Sequence, residues 1–242
     1  MTIDLEVFIN GEAVSQDAVS RWEQNSARRA LRRLGLRANH MDLAELRAEL
    51  RARKLKLGHS GIRKLLRREL AVSDKYARLV AWLSRGGRRY SVIEIVSPEG
   101  SAAAFANWFE ELAHRNREDV MVAAAPEHYL IATDAAGRQE VIETNGGSPM
   151  AARFFIDYAD LSTLRSTPDP DYPSEVAGVA RTPNGTTIGG VRHQFRDEGS
   201  GFRAKLTVEF PTLILPSVVS GHRWHLACEF SNWIRTAVAE LR

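Results

Sequence analysis

The pair Gly86-Gly87 divides this chain into two regimes of hydrophobic periodicity, and no all-helical or all-sheet fold satisfies both. Before the pair, apolar residues recur at helical spacing. In residues 42–57, Leu43, Leu46, Leu50 and Leu57 make one stripe, and Arg47, Arg51 and Lys54 make another, expected to face solvent. After the pair, period two takes over: Phe202, Ala204, Leu206, Val208 and Phe210 face one way, and Arg203, Lys205, Thr207 and Glu209 the other. This predicts an α+β chain with a small, mostly helical domain over residues 1–86 and a sheet-rich domain over residues 87–242.

The N-terminal part opens on a hairpin, Glu6 to Val14, around Asn10-Gly11. Helices are expected from about Gln16 to Gly35, from Asp42 to Gly58 with Glu45 completing a capping box, from Ser60 to Leu70, and from Ser73 to Gly86-Gly87. Helices this short and amphipathic need a partner surface, supplied by the second domain or a second subunit. Next come a strand, Tyr90 to Val96, and a helix, Ser101 to Glu118. Strands follow near 127–133, 138–144, 151–158, 175–182, 186–196 and 201–210, with turns at Asn184-Gly185 and Gly199 to Gly201. Pro168, Pro170 and Pro173 make 161–174 a loop, and Val218 to Leu241 closes the chain as a long helix. Strand, helix, antiparallel strands and a long last helix resemble the helix-grip fold of the Bet v 1 and START-like superfamily, where a curved sheet wraps the last helix around a cavity. That likeness is architectural and leaves the chemistry open.

At 242 residues the chain is long enough to bury a substantial core. No apolar run approaches the roughly 18 residues of a membrane span, and Met1 to Asn10 is too polar for a secretory core, so a cytoplasmic protein with no membrane partner is expected. The single cysteine, Cys228, excludes an intrachain disulfide and a cysteine-rich metal site. The net charge of +3 is segregated: residues 21–70 hold 15 Lys or Arg against 5 Asp or Glu, a net of +10, leaving −7 elsewhere. Such a segment suits nucleic acid or an acidic partner, although solvated helix faces explain it as well and are the better-supported account.

Histidine and glutamate supply the chemistry. A turn at Asp134-Ala135-Ala136-Gly137 flanked by Thr133 and Arg138 would set His128 opposite Glu143, with Cβ atoms about 5 Å apart. Glu140 would then point to the other face, and a one-residue slip would reverse the choice. His193 alternates with Val191 and Phe195 on an apolar strand face, as a metal ligand or as a hydrogen-bonded core histidine. On the last helix Leu226, Phe230, Trp233, Ala237 and Leu241 define the buried stripe, with Glu229 at its edge and His222 and His225 nearby. Two glutamates with histidines are a donor set that zinc accepts. Taken alone, His225-x-x-x-Glu229 reads sooner as a helix cap beside a solvated carboxylate.

The segments Pro126-Glu127-His128-Tyr129, Val141-Ile142-Glu143-Thr144, Gly190-Val191-Arg192-His193-Gln194-Phe195 and His225-Leu226-Ala227-Cys228-Glu229-Phe230 resemble the 2,4-diacetylphloroglucinol hydrolase and phloretin hydrolase family over roughly residues 120–235. The resemblance implies a dimerising helical N-terminal part and a Bet v 1-like catalytic domain. It also implies zinc held by His128, Glu143, His193 and Glu229, with His225 as acid–base, while Glu140 and His222 stay open as substitute donors. The reaction implied is hydrolysis of a carbon–carbon bond between an acyl group and a phenolic ring, of retro-Claisen type, on a small aromatic ketone. The chain is shorter than that family's pattern, and its His128-to-Glu143 spacing is tighter. Two rivals stand beside this reading: a non-enzymatic helix-grip carrier of an apolar or aromatic ligand, and a nucleic-acid-binding protein acting through residues 21–70. A serine hydrolase lacks its Gly-x-Ser-x-Gly elbow, and Gly146-Gly147-Ser148 reads as a loop.

Overall fold

Hairpin chemistry starts the chain. In the computed structural model, which describes residues 3–38 and 40–242, β1 (Glu6–Ile9) and β2 (Glu12–Val14) turn at Asn10 and Gly11, whose φ of 55° and 80° suit a two-residue hairpin. Met1 and Thr2, part of the polar start, lie outside the described residues. Ser15 caps α1 (Gln16–Arg33) by accepting the Ala18 N–H. The capping box forms as expected: the Asp42 and Glu45 side chains each accept the other's backbone N–H at the start of α2 (Leu43–Ser84).

Where three helices are expected between Asp42 and Gly86, α2 runs 42 residues. Gly58, at φ 59° and ψ 178°, leaves the helical conformation where the first stop is expected, so α2 is two helical stretches that meet at a kink, and the second runs on past Leu70 and Ser73 to Ser84. The reason lies in the sheet beneath: Ile62 and Leu66 continue the buried side begun by Leu46 and Leu50. Each such side chain removed from water contributes about 1.5–3 kcal/mol, which holds both stretches against the sheet. The basic stripe also needs correction, because Lys54 is buried, its ammonium donating to the Val122 and Ala125 carbonyls.

The remaining strands are β3 (Arg88–Ser97), β4 (His128–Thr133), β5 (Gln139–Glu143), β6 (Ala152–Asp157), β7 (Ser174–Arg181), β8 (Thr187–Glu198) and β9 (Gly201–Pro211). With β1 and β2 they form one curved, antiparallel sheet in the order β2-β1-β3-β9-β8-β7-β6-β5-β4. The helix expected over 101–118 ends early, as α3 (Ala102–His114), because Asn116 takes a left-handed φ of 49°, and a short helix that the sequence did not announce, α4 (Glu118–Ala123), follows. The last helix, α5 (Pro216–Leu241), lies across the sheet, an α+β arrangement compatible with a helix-grip fold.

Each side of the sheet buries its own apolar set. Inside, Phe105 of α3, Phe195 of β8, Phe202 of β9 and Phe230 of α5 belong to the main core. Outside, Leu31, Leu46, Leu50, Ile62 and Leu66 of α1 and α2 cover Tyr129, Leu130 and Ile142 of β4 and β5. Those two strands are therefore buried on both faces. Among the described residues, no helix is long and apolar enough to cross a membrane.

Candidate metal centre

The site begins at an irregularity in β4. Asp134 accepts the Ala136 and Arg138 N–H groups and Gly137 is left-handed, which lengthens the turn so that Thr133 pairs with Gln139, not Arg138. An unbroken ladder in that register would set His128 against Thr144. A bulge at Tyr129 restores the His128–Glu143 pair. Tyr129 and Leu130 consequently both face the outer helices, while His128 turns inward beside Ile131's side of the sheet. Arg33 holds the bulged Tyr129 by its hydroxyl at 3.2 Å.

Glycines then let α5 approach β5. A Cβ on Gly146 would lie 2.3 Å from the Gly221 carbonyl oxygen, and one on Gly221 would lie 2.5 Å from the Gly147 backbone. Loop and helix meet backbone to backbone, and Gly146-Gly147 is a packing device, not a phosphate cradle. One turn further along α5, His225 and Glu229 reach the inward residues of β4 and β5.

Four side chains converge there. The Nε2 atoms of His128 and His225 are 3.1 Å apart. Glu229 Oε2 is 3.0 Å from His128 Nε2 and 3.6 Å from His225 Nε2; Glu143 Oε2 is 3.5 and 3.6 Å from the same two atoms. His128, Glu143 and His225 each offer a donor atom within 4.8 Å of the other two, a buried group that can hold a metal ion, with Glu229 bordering both imidazoles.

Tautomers follow from the second contacts. His128 Nδ1 is 3.0 Å from the Met121 carbonyl, which only accepts, so Nδ1 carries a hydrogen and Nε2 is the atom turned toward the carboxylates. His225 Nδ1 faces Glu127 Oε2 at 3.4 Å, and Arg29 stands 3.6 Å from the other oxygen of that carboxylate. Glu127 escapes sequence reasoning because the strand expected from residue 127 would turn it away from His128's face, whereas β4 begins at His128 and leaves Glu127 free of that alternation.

Buried negative charge dominates the electrostatics. Burial opposes charge on His225, yet Glu229 and Glu143 hold its imidazole well above the ordinary histidine value. Burial likewise opposes charge on Glu143, but His225 and His128 bring its carboxyl down to about 2. Carboxylates removed from water require compensating positive charge, and among the described residues the basic groups touching Glu143 and Glu229 are the two imidazoles.

The other sequence candidates fall elsewhere. His193 lies outside the donor group, buried, with its Nδ1 lacking a partner among the described residues and its ring edge-on to Phe230 at 4.8 Å. Burial pushes its pKa down to about 3, so the ring is neutral. His222 is likewise pushed down to about 3 by burial, then by His225, and its Nδ1 is 3.1 Å from the Ser91 hydroxyl. Glu140 points to the outer face, where Arg63 and Arg153 pair with it. His193 and the four converging side chains all line one largely apolar cavity of about 290 Å³, whose wall includes Phe109, Phe154, Val191 and Trp233.

A scan against protein-family models and a search of curated protein sequences each return no match for this chain.

Proposed function

We propose that the protein is a metal-dependent hydrolase that cleaves the carbon–carbon bond between an acyl group and a phenolic ring, within a Bet v 1-like helix-grip domain. The observation that carries this reading is the convergence of two imidazole nitrogens and two buried carboxylates on the wall of an apolar cavity. The donor separations of 3.0–3.6 Å suit atoms sharing one ion through bonds of about 2.0–2.2 Å, the range of zinc with nitrogen and oxygen ligands. The set assigned is therefore His128, Glu143, His225 and Glu229. When bound, such an ion supplies Lewis acidity toward carbonyl oxygens and water.

The chain's own residues divide the remaining work. His193, neutral and with its Nδ1 unpartnered among the described residues, borders the same cavity and would pass to the departing ring carbon the proton that the attacking water gives up as the acyl bond breaks. The acylated ring in its keto form is a β-diketone, whose ring carbon leaves as a stabilised enolate. Phe109, Phe230 and Trp233 surround the reacting region with aromatic faces and exclude bulk water. A carrier role accounts for the cavity but not for the buried carboxylates. The nucleic-acid reading loses support because Arg29, Arg33, Arg47 and Arg63 pair with Glu127, Glu69, Glu23 and Glu140 of the same chain.

Mass-spectrometric metal analysis of protein purified without chelators should find about one transition-metal ion per chain, and wild-type protein with none would end this reading. His225→Ala should lower occupancy at least tenfold. His193→Ala should keep the metal and slow hydrolysis of acetylphloroglucinol or phloretin about 100-fold, the usual scale for losing a proton-transfer group. Metal loss in His193→Ala with retention in His225→Ala would reverse the two roles.

A further inference from the structure

We propose that Lys54 is a positioning residue of the metal centre: reaching in from the outer helical layer, its buried amine fixes the backbone stretch Met121 to Ala125, which in turn holds His128. This rests on the reading of His128 as a metal ligand and adds a determinant of metal affinity outside the donor group.

Of the basic residues around it on α2, Arg51 and Lys56 are exposed, yet Lys54 is buried. An ammonium is costly to take out of water, so this side chain is a poor choice for packing alone and needs good acceptors. It finds two backbone carbonyls, Val122 at 2.9 Å and Ala125 at 3.3 Å. An amine donates to both whether charged or neutral, and the tie therefore survives its titration.

The same stretch holds His128 twice. The Met121 carbonyl accepts from ring Nδ1 at 3.0 Å, and the Ala125 carbonyl accepts the His128 backbone N–H at 3.3 Å. One oxygen, that of Ala125, thus takes hydrogen bonds from Lys54 and from the ligand residue. The stretch has little rigidity of its own: α4 is six residues long, and Arg117 at its start makes no side-chain cap. Asn232 of α5 adds a second tie, its amide donating to the Ala124 carbonyl at 2.9 Å. Without Lys54 the Val122 carbonyl loses its side-chain partner, and His128 hangs on acceptors that are held from α5 alone. A metal ligand that shifts by about half an ångström gives up bonding geometry.

Position and charge act in opposite directions. A buried cation beside the acceptors of His128 repels a metal ion, so by charge alone Lys54→Met tightens metal binding. Loss of position loosens it, and the sign of the change decides between the two.

Chelator titration of zinc-loaded protein is the test. In Lys54→Met the chelator concentration that strips half the zinc should fall about tenfold or more, the scale of losing an outer partner of a metal ligand. Exchange of the His128 Nδ1 hydrogen with water, read by NMR on the metal-free protein, should speed up about tenfold while the amides of β8 and β9 keep their protection. Lys54→Gln, whose amide still donates, should fall between Lys54→Met and wild type, and Lys56→Met on the exposed surface should match wild type. A chelator midpoint unchanged or raised in Lys54→Met overturns the proposal. Zinc loss in Lys54→Met and Lys54→Gln together with lost protection throughout β8 and β9 overturns it too, and leaves Lys54 a residue of general stability. Wild type that takes up no zinc ends the metal reading itself, whereas zinc-binding wild type with an unchanged midpoint in Lys54→Met overturns this inference alone.

Discussion

At the scale of single residues, orientation decides role. His225 and His193 both read as inward-facing histidines, and spacing offers no reason to prefer one as the metal donor. The structure separates them through their second contacts: His225 Nδ1 meets Glu127, fixing Nε2 toward Glu143 and Glu229, whereas among the described residues His193 Nδ1 has no hydrogen-bond partner and the ring pairs with no carboxylate. A carboxylate behind a metal-binding imidazole orients the ring and raises its basicity. Glu127→Gln should therefore weaken metal affinity about 10–100-fold with the fold intact, read as the chelator concentration that strips half the metal. An unchanged chelator midpoint would assign Glu127 to the Arg29 contact alone.

At the scale of elements, close backbone approach and burial override local signals. Gly221 admits the Gly146-Gly147 loop to within van der Waals contact of α5, and the helix carries His225 and Glu229 into place. Gly221→Ala should force the two apart, lower the midpoint of urea unfolding by the equivalent of about 1–3 kcal/mol, and reduce metal content. Full stability with full metal content would show that the loop yields freely. Lys54 ties α2 to the carbonyls around α4, and burial, opposed by Cys228 and Glu127, pushes its pKa down to about 7. Below pH 7 both folded and unfolded chains hold this proton and the folded state bears a buried ammonium; between about 7 and the ordinary 10.5 only the unfolded chain holds it. Stability contributed by this residue thus rises with pH across that window. Relative to Lys54→Met, the wild type should gain a few kcal/mol in urea unfolding between pH 6 and pH 9.5. A constant difference between the two proteins would show that Lys54 stays charged.

At the scale of the whole molecule, α2 leaves an apolar face outside: Val72, Leu79, Trp82 and Leu83 are 54%, 53%, 74% and 47% exposed. We propose that a second copy of the chain covers it, in keeping with the dimer that the family resemblance implies. Light scattering should give the mass of two chains, and Leu79→Glu with Trp82→Glu should give one. A wild-type monomer at micromolar concentration would remove the proposal.

The amino-acid sequence by itself determined the strand limits of the sheet to within a few residues, the starts of α1 and α2 with the capping box of α2, the long last helix and the place of Glu229 at the edge of its buried stripe, because each depends on neighbours in the chain or on simple periods. It also indicated that His128 meets Glu143, though by a route the structure replaces: the turn is longer, and a bulge at Tyr129 makes up the difference. Tertiary structure alone decided the continuity of α2 from Ser60 through Ser73, the burial of Lys54, the place of Glu127 and the separation of His193 from the donor group. Those outcomes depend on what lies opposite a residue in space. A chain encodes that only through the sum of its packing, where burial worth several kcal/mol overrides local preferences worth about one.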